Sequence, residues 1–213
     1  MKKVWLVILA CILLLSSIGL VEFGICKLTY SKNKKESDDI LRIAYDVLDN
    51  QSTVGSSEDQ GIDNKGTMSN KETIDNKNNA LENGDIIGIL KIPKLQIEAP
   101  IKEGTSQEIM RTSVGHFTES DYWNGNVSFA SHNSGTNAHF FESINYLNEN
   151  DEIEYITKLG TKKYRVKDIK RIESTDWSMV VSNNNSNENT ITLITCITGQ
   201  PKYRLCVRGV ETL

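Results

Sequence analysis

The first hydrophobic feature of the chain is an apolar run near its amino terminus. Val4 to Val21 contains no charged residue, is rich in Leu, Ile and Val, and follows the pair Lys2-Lys3. At about 1.5 Å per residue, a helix of this length spans about 27 Å, close to the hydrocarbon thickness of a bilayer. The run predicts an uncleaved membrane anchor over residues 1–26. A cleaved signal peptide is the alternative, although its apolar region usually covers only about 7–15 residues.

The next stretch, residues 27–81, contains two different patterns. Over residues 37–48 the apolar positions recur at helical spacing, which predicts a short amphipathic helix that forms a stalk or packs on the following domain. Residues 50–80 consist mainly of Asn, Ser, Asp, Lys, Gly and Thr. Such a composition buries too little apolar surface to offset the entropy lost on ordering, so this part is predicted to be a disordered tether.

From residue 82 to residue 213 the pattern changes to short β-branched runs separated by turn signals. A helix is predicted over 106–112 and a helical turn over 140–147. Strands are predicted over 85–92, 97–101, 126–130, 152–157, 164–172, 190–196 and 203–210. Many short strands of this kind indicate an antiparallel barrel or a sandwich, and the segment is long enough to form one hydrophobic core.

Composition and charge exclude two classes of protein. The chain has 213 residues, with 24 basic and 28 acidic side chains and a formal net charge of -4. A nucleic-acid-binding protein is therefore not expected, because such proteins usually carry a basic surface. Only 4 cysteines are present, too few for a disulfide-stabilised secreted scaffold of this length.

One of the four cysteines lies where a nucleophile would be useful. Cys196 ends the predicted strand 190–196, and the loop that follows contains Gly199 and Pro201, so the thiol is expected at the edge of the domain. A buried structural role is the alternative for Cys196 and the default for Cys206, which lies within the last strand. A disulfide between the two is conceivable, but their spacing alone does not establish one.

A cysteine nucleophile needs a base or a cation nearby, because the thiolate is the reactive form. Of the 3 histidines, His132 ranks first, since it follows the strand 126–130 in a polar segment that can present an imidazole. His116 is expected in a loop before that strand, and His139 at the start of a helix. Surface or structural roles are expected for these two.

The third chemical element is a donor for the oxyanion that forms when a carbonyl is attacked. Arg204 begins the last predicted strand, so a short hairpin loop could return its guanidinium beside Cys196. Arg208 is expected on the same face of that strand, but deeper. A solvated surface position is the alternative for any one arginine. Trp177, before the strand of Cys196, is expected either to line a substrate groove or to lie in the core.

These segments resemble the motifs of the sortase family. Thr192-Leu-Ile-Thr-Cys196, Ala130-Ser-His-Asn133 and Tyr203-Arg-Leu-Cys-Val207 are similar to the TLxTC, His and Arg motifs of sortases, in the same order. The similarity covers about residues 84–210. Within the family it is most like class D, because of the Asn after the His, the segment 176–178 and the Gln-Pro-x-Tyr-Arg ending. Ser131 departs from the pattern, since sortases usually have Gly before the His.

The resemblance implies an all-β fold, a closed antiparallel β-barrel of about eight strands with short helices, preceded by an N-terminal transmembrane helix. The three parts would be a membrane anchor at 1–26, a stalk helix and tether at 27–81, and a sortase catalytic domain at 82–213. The implied activity is that of a cysteine transpeptidase. Some sortases use calcium, but the acidic residues at 149–154 form no ligand loop of defined spacing, so no cofactor or metal is predicted and calcium dependence stays open. Cys196 would be the nucleophile, His132 the proton donor and acceptor, and Arg204 the group that binds the oxyanion or orients the substrate.

The implied substrates are surface proteins with a C-terminal LPxTG-like sorting signal, and the implied acceptor is an amine of a lipid-linked peptidoglycan precursor. Because these precursors are extracytoplasmic, the resemblance implies a single-pass protein of the cell membrane with a cytoplasmic N-terminus and an extracytoplasmic catalytic domain. Two other classes stay open. One is a hydrolytic cysteine peptidase, in which water resolves the thioester, and the other is a non-catalytic surface-binding module, in which Cys196 is merely packed.

Overall fold

The structure, a computed structural model, describes residues 2–49, 81–181 and 188–212, so the predicted tether at 50–80 lies outside the described residues. Its elements, in chain order, are the helix α1 (Lys2–Asp49), strands β1 (Ile86–Ile92) and β2 (Ile97–Glu103), the helix α2 (Gln107–Met110), and strands β3 (Val114–His116), β4 (Asn126–Ala130), β5 (Glu152–Thr157), β6 (Gly160–Glu173), β7 (Thr190–Cys196) and β8 (Tyr203–Glu211), with 3₁₀ turns at Pro93–Leu95 and Ile144–Tyr146.

The eight strands close into a barrel in the order β1-β2-β3-β4-β7-β8-β6-β5, which decides between the barrel and the sandwich. The barrel is not wholly antiparallel, so that part of the prediction is wrong. Strand β2 pairs with β3 in parallel, and β4 pairs with β7 in parallel. Parallel neighbours need a crossover connection. The segment with α2 supplies the first, and the chain that forms β5 and β6 supplies the second.

The predicted strands are all present, with ends that shift by a few residues. β6 begins at Gly160 because Gly160 pairs with Thr157 across a two-residue turn. Sequence analysis missed β3, and the expectation that His116 lies in a loop is wrong. Val114, Gly115 and His116 are all buried between β2 and β4. Three residues are too few to show an alternating pattern.

Two apolar clusters lie on either side of β7. The barrel interior holds Ile191 and Leu193 of β7 together with large side chains such as Phe129 and Tyr155. A smaller cluster on the outer side holds Ile194 with Val180. Every residue of β7 is consequently buried except the last one. The strand therefore delivers a single accessible position, its carboxyl end, to the surface.

Helix α1 packs on the outside of the barrel against β1 and β2. Asn33, Ser37 and Ala44 of α1 are buried, and the hydroxyl of Tyr45 forms a hydrogen bond with the carboxylate of Glu98 on β2. The packing alternative for residues 37–48 is thus confirmed, but the helix is much longer than expected. Residues 27–36 contain helix-favouring Lys and Glu and no Pro, so nothing interrupts the helix before residue 37.

Among the residues that the structure describes, none of the helices combines the length and the apolar composition that a membrane crossing requires. The predicted anchor at 1–26 falls largely on positions whose side chains lie outside that description. Val47 near the end of α1 and Leu81, where the description resumes, line one cavity beside β1.

Candidate active site

Cys196 is the exposed last residue of β7 and lies opposite Arg204 in the register of the β7–β8 hairpin. The predicted return of the chain is confirmed, and Gly199 in the connecting loop adopts the positive φ of 75° that favours glycine. Cys196 and Cys206 are both free cysteines, so the conceivable disulfide between them is not formed. Cys206 is fully buried, and burial raises the pKa of its thiol to about 11.

His132 reaches the same end of the barrel because β4 runs parallel to β7. Ala130 pairs with Ile194, and two hydrogen bonds extend the contact beyond the strand. The backbone N–H of Ser131 donates to the carbonyl of Ile194 at 3.4 Å, and the hydroxyl of Thr195 donates to the carbonyl of Ser131 at 2.7 Å. His132, the residue after Ser131, is therefore held at the same end of the barrel as Cys196, the last residue of β7.

The three predicted site residues line a single cavity of about 230 Å³. Cys196 and Arg204 come from the β7–β8 hairpin, and His132 from the loop after β4. The cavity also has an apolar part, which includes Met110, Phe117, Ile172 and Ile194. Such a cavity suits a peptide substrate. Its apolar walls can bury the side chains of the peptide, and its converging polar groups can activate a carbonyl.

Trp177 also lines this cavity, so the alternative that it lies in the core is wrong. Its side chain is 58% exposed, and its ring meets that of Phe117 edge to face at a centroid distance of 5.8 Å. The segment that carries Trp177 is fixed from β4. The side-chain amide of Asn126 donates to the carbonyls of Met179 and Val180 at 2.9 Å each. Sequence analysis did not identify Asn126, because a polar residue at a strand start reads as a turn signal.

The imidazole of His132 is half-buried, and its Nε2 is a buried atom without a hydrogen-bond partner among the described residues. Burial lowers the pKa of His132, and the neighbouring His139 lowers it further. The hydroxyl of Ser131, where sortases usually have Gly, is likewise buried without a partner in the described part of the chain. The cavity that contains Cys196, which we call the groove, is thus lined by two side chains, Ser131 and His132, that each have a buried polar atom without a hydrogen-bond partner among the described residues.

The guanidinium of Arg204 is oriented by its own loop. Its Nη1 donates to the carbonyl of Pro201 at 2.9 Å and to that of Tyr203 at 2.8 Å. These bonds hold the cation at the wall of the cavity, opposite Cys196. Arg208, which was expected to lie deeper, has a buried Nε without a partner among the described residues.

Asn133 is a functional candidate whose role sequence analysis did not identify. Its side-chain amide donates to the carbonyl of Cys196 at 2.7 Å and to the hydroxyl of Thr198 at 3.2 Å. A second cavity, of about 530 Å³, lies on this side and is lined by Asn133, Tyr146, Cys196 and Thr198 among others. Cys196 therefore lies where two cavities meet. The sequence analysis used Asn133 only as a mark of the resemblance to class D, and its contact with Cys196 appears only in the folded chain.

The other two histidines lie away from Cys196. His116 is buried, with Nδ1 at 2.7 Å from Glu103 and Nε2 at 3.0 Å from the hydroxyl of Ser120. His139 does not begin a helix; its ring stacks on Tyr30 of α1 at 4.7 Å between centroids. Within residues 2–49, 81–181 and 188–212, no cluster of three or more His, Cys, Asp or Glu side chains could hold a metal ion.

Comparison with known families gives one match to a family model, the Sortase domain, over residues 90–212. A curated relative, Sortase D of Bacillus subtilis (strain 168), is 29% identical over 117 residues, which cover 54% of this chain and 56% of that protein. The match therefore spans little more than half the length of this relative.

Solved structures give similar matches. Pilus Island 1 Sortase C2 of Group B Streptococcus is 27% identical with a TM-score of 0.56, and the match covers 62% of this chain and 77% of that one. The Sortase D5 transpeptidase of Clostridium perfringens is 23% identical with a TM-score of 0.57, and covers 87% of this chain and 99% of that one. At this identity the second match supports the fold alone.

Proposed function

Because the chain belongs to the sortase family, whose members are cysteine transpeptidases, we propose that it cuts an LPxTG-like sorting signal at the C-terminus of surface proteins and transfers the protein to an amine of a lipid-linked peptidoglycan precursor. The observation that carries the proposal is the convergence of Cys196, His132 and Arg204 on one cavity with an apolar part. A thiol, an imidazole and a cation are the groups that acyl transfer through a thioester requires.

In the first half of the reaction, the thiolate of Cys196 attacks the carbonyl carbon of the Thr in the sorting signal, at the bond between this Thr and the residue after it. The C–N bond breaks, and His132 gives its proton to the departing amine. The product is a thioester between the surface protein and Cys196. Arg204, across the hairpin from Cys196, stabilises the negative charge on the carbonyl oxygen or orients the peptide backbone.

In the second half, the acceptor amine attacks the thioester carbon and gives a proton to His132, and the Cys196 thiolate leaves. An amide replaces the original peptide bond, so no net hydrolysis occurs. The two cavities that meet at Cys196 support this sequence, since they offer one approach for the sorting signal and another for the amine.

The proposal places the enzyme in the cell membrane. Residues 1–26 anchor the chain as a single span, with the N-terminus in the cytoplasm and the catalytic domain outside, where the peptidoglycan precursors and surface proteins meet. The supporting observation is the charge-free apolar run Val4 to Val21. In intact cells that express the chain with an epitope tag added at its N-terminus, proteolysis should remove the barrel and leave the tag protected, and the reverse pattern would contradict this orientation.

The activity is tested with the full-length chain, a panel of sorting-signal peptides and an added amine. Mass spectrometry should detect an acyl-enzyme on Cys196 and a ligated peptide that depends on the amine. The variant Cys196→Ala should form neither product, whereas Cys206→Ala is the matched control and should form both, because the Cys206 thiol is buried with a raised pKa. Hydrolysed peptide without ligated peptide would indicate the peptidase instead. Unchanged processing by Cys196→Ala would overturn the proposal.

A further inference from the structure

Helix α1 and the loop that carries His132 share a buried contact. The side chain of Asn33, on α1, is only 3% exposed. Its Nδ2 donates to the carbonyl of Thr136 at 2.8 Å, and its Oδ1 accepts from Arg111 at 2.9 Å. We call residues 131–139 the His loop. A single side chain of the helix thus bridges the barrel, through Arg111, and the outer part of the His loop, through Thr136.

Arg111 strengthens this contact from the barrel side. Its guanidinium forms a two-pronged ion pair with Glu36 of α1, at 2.8 Å for each hydrogen bond. Its carbonyl accepts from the backbone N–H of Ala138 at 2.8 Å. Bidentate arginine–carboxylate pairs fix geometry as well as adding energy. The residue that receives α1 is therefore the same residue that holds the His loop.

A third contact lies at the far end of the His loop, where the ring of Tyr30 on α1 stacks on His139. The near end of the loop is tied to β7 through Ser131 and through Asn133. His132 lies between these two sets of contacts. The loop has no helix or strand of its own, so its conformation depends on such tertiary hydrogen bonds.

We propose that docking of α1 positions the His loop, with Asn33 as the positioning residue, and thereby holds His132 at the wall of the groove that contains Cys196. The inference rests on the catalytic role proposed for His132. Asn33 reaches the loop only at the carbonyl of Thr136, so it acts through the backbone and not on the substrate. Release of the helix leaves the strand-side contacts and the Ala138–Arg111 hydrogen bond in place, but it loosens residues 134–139 because Thr136 and His139 lose their partners on α1.

The expected effect is on the rate of the chemical step. A displacement of about 1 Å at a reacting group can cost about 100-fold in rate, so Asn33→Ala should lower kcat about 10- to 100-fold. KM should change little, because none of the residues that line the cavity belongs to α1. Asn33→Asp keeps an acceptor for Arg111 and loses the donor to Thr136, so it should lower kcat as Asn33→Ala does.

Tyr45→Phe is the matched control, because it removes a hydrogen bond between α1 and the barrel at Glu98, far along the helix from the His loop. It should leave kcat and KM unchanged. Two readouts need no substrate. Hydrogen exchange of the full-length chain should be faster at residues 134–139 in both Asn33 variants than in the wild type or in Tyr45→Phe.

The second readout is the titration of His132 in histidine-labelled protein, which has only 3 histidines to assign. Burial lowers the pKa of His132, so a loosened loop should bring the pKa back toward its ordinary value. The titratable or charged groups near His132 are His139 on the His loop and the cavity-lining Cys196, Arg204, Glu173 and Asp176. Asn33→Ala alters none of them, whereas Asn33→Asp adds a carboxylate that would itself raise the pKa of a nearby histidine, so the titration is compared between the wild type and Asn33→Ala.

The outcomes separate the two proposals. If Asn33→Ala keeps full kcat and wild-type exchange at residues 134–139, positioning by α1 is refuted. The same holds if Tyr45→Phe is as damaging as Asn33→Ala, because the effect would then reflect general stability. If Asn33→Ala does not fold, Asn33→Asp supplies the same comparison. If the wild type lacks transpeptidase activity while exchange and titration still shift, the proposed function fails and the coupling of helix and loop stands.

Discussion

Two histidines of this barrel illustrate two uses of a buried imidazole. His116, where β2 meets β3, has partners for both ring nitrogens, and its partner Glu103 is equally buried. His132, at the end of β4, keeps a buried Nε2 without a hydrogen-bond partner among the described residues. His116 lies on β3 and His132 lies just beyond β4, the neighbouring strand. The two imidazoles therefore differ in their hydrogen-bond partners although they belong to adjacent parts of the barrel.

The difference shows which polar groups serve the fold. Buried polar atoms are nearly always hydrogen-bonded, because an unpaired one costs free energy, so an exception calls for a reason. At His116 the groups satisfy one another and join β3 to its surroundings. In the groove, His132 and Ser131 keep polar atoms without partners in the described chain. A group that must exchange a proton with a substrate is best left without a competing partner.

The largest expected effect is on catalysis at His132. His132→Gln should lower kcat/KM for peptide ligation about 10²- to 10⁴-fold, the usual contribution of a proton-transferring residue. The midpoint of thermal unfolding should change little, because Nε2 makes no hydrogen bond to any described residue that the substitution would break. Peptide ligation and calorimetry measure the two quantities. A large drop in melting temperature with retained activity would reverse the roles assigned to the two histidines.

A substitution where β2 meets β3 is expected to lower the free energy of unfolding and to leave catalysis unchanged. Glu103→Ala leaves His116 with a buried ring nitrogen that lacks its hydrogen-bond partner, and leaving a buried polar group unpaired costs about 1–3 kcal/mol. Urea unfolding should show this loss, while kcat stays close to the wild-type value. The control is Lys163→Ala, because Lys163 pairs with Glu154 at an exposed position, where such a pair contributes only about 0–1 kcal/mol. Equal losses in the two variants would contradict the comparison.

The smallest effect concerns pH. Because burial and His139 lower the pKa of His132, the unfolded chain binds a proton at this site more readily than the folded chain does. Stability is therefore fully present above the ordinary histidine pKa of about 6.5 and declines as the pH falls below it. Melting temperatures between about pH 8 and pH 5 should fall less steeply for His132→Gln than for the wild type. Identical slopes would show that His132 titrates normally.

The strands were predictable because their signals are local. The alternation of β5 and the β-branched run of β7 follow directly from the sequence. The parallel pairings could not be predicted. β3 is too short to be recognised beside β2, and β4 and β7 lie far apart in the chain, so their pairing leaves no local pattern. The full length of α1 was missed because a polar helical segment carries no amphipathic signal.

The site divides in the same way. Cys196 and Arg204 could be paired from the sequence because a short hairpin joins them, and His132 because it follows a strand. The asparagines that hold the site together could not be found. Asn33 and Asn126 look like ordinary solvent-exposed or turn residues, and only the folded chain shows that both are buried and hydrogen-bonded.

The continuous helix α1 has a consequence for where the enzyme works. If residues 1–26 form the proposed anchor, Tyr30 touches the His loop only four residues later, about 6 Å along the helix axis. The groove would then lie at a fixed distance from the bilayer. A surface protein would be accepted only if its sorting signal emerged from the membrane at that height, so two proteins with the same signal could be told apart by the length of chain that follows it.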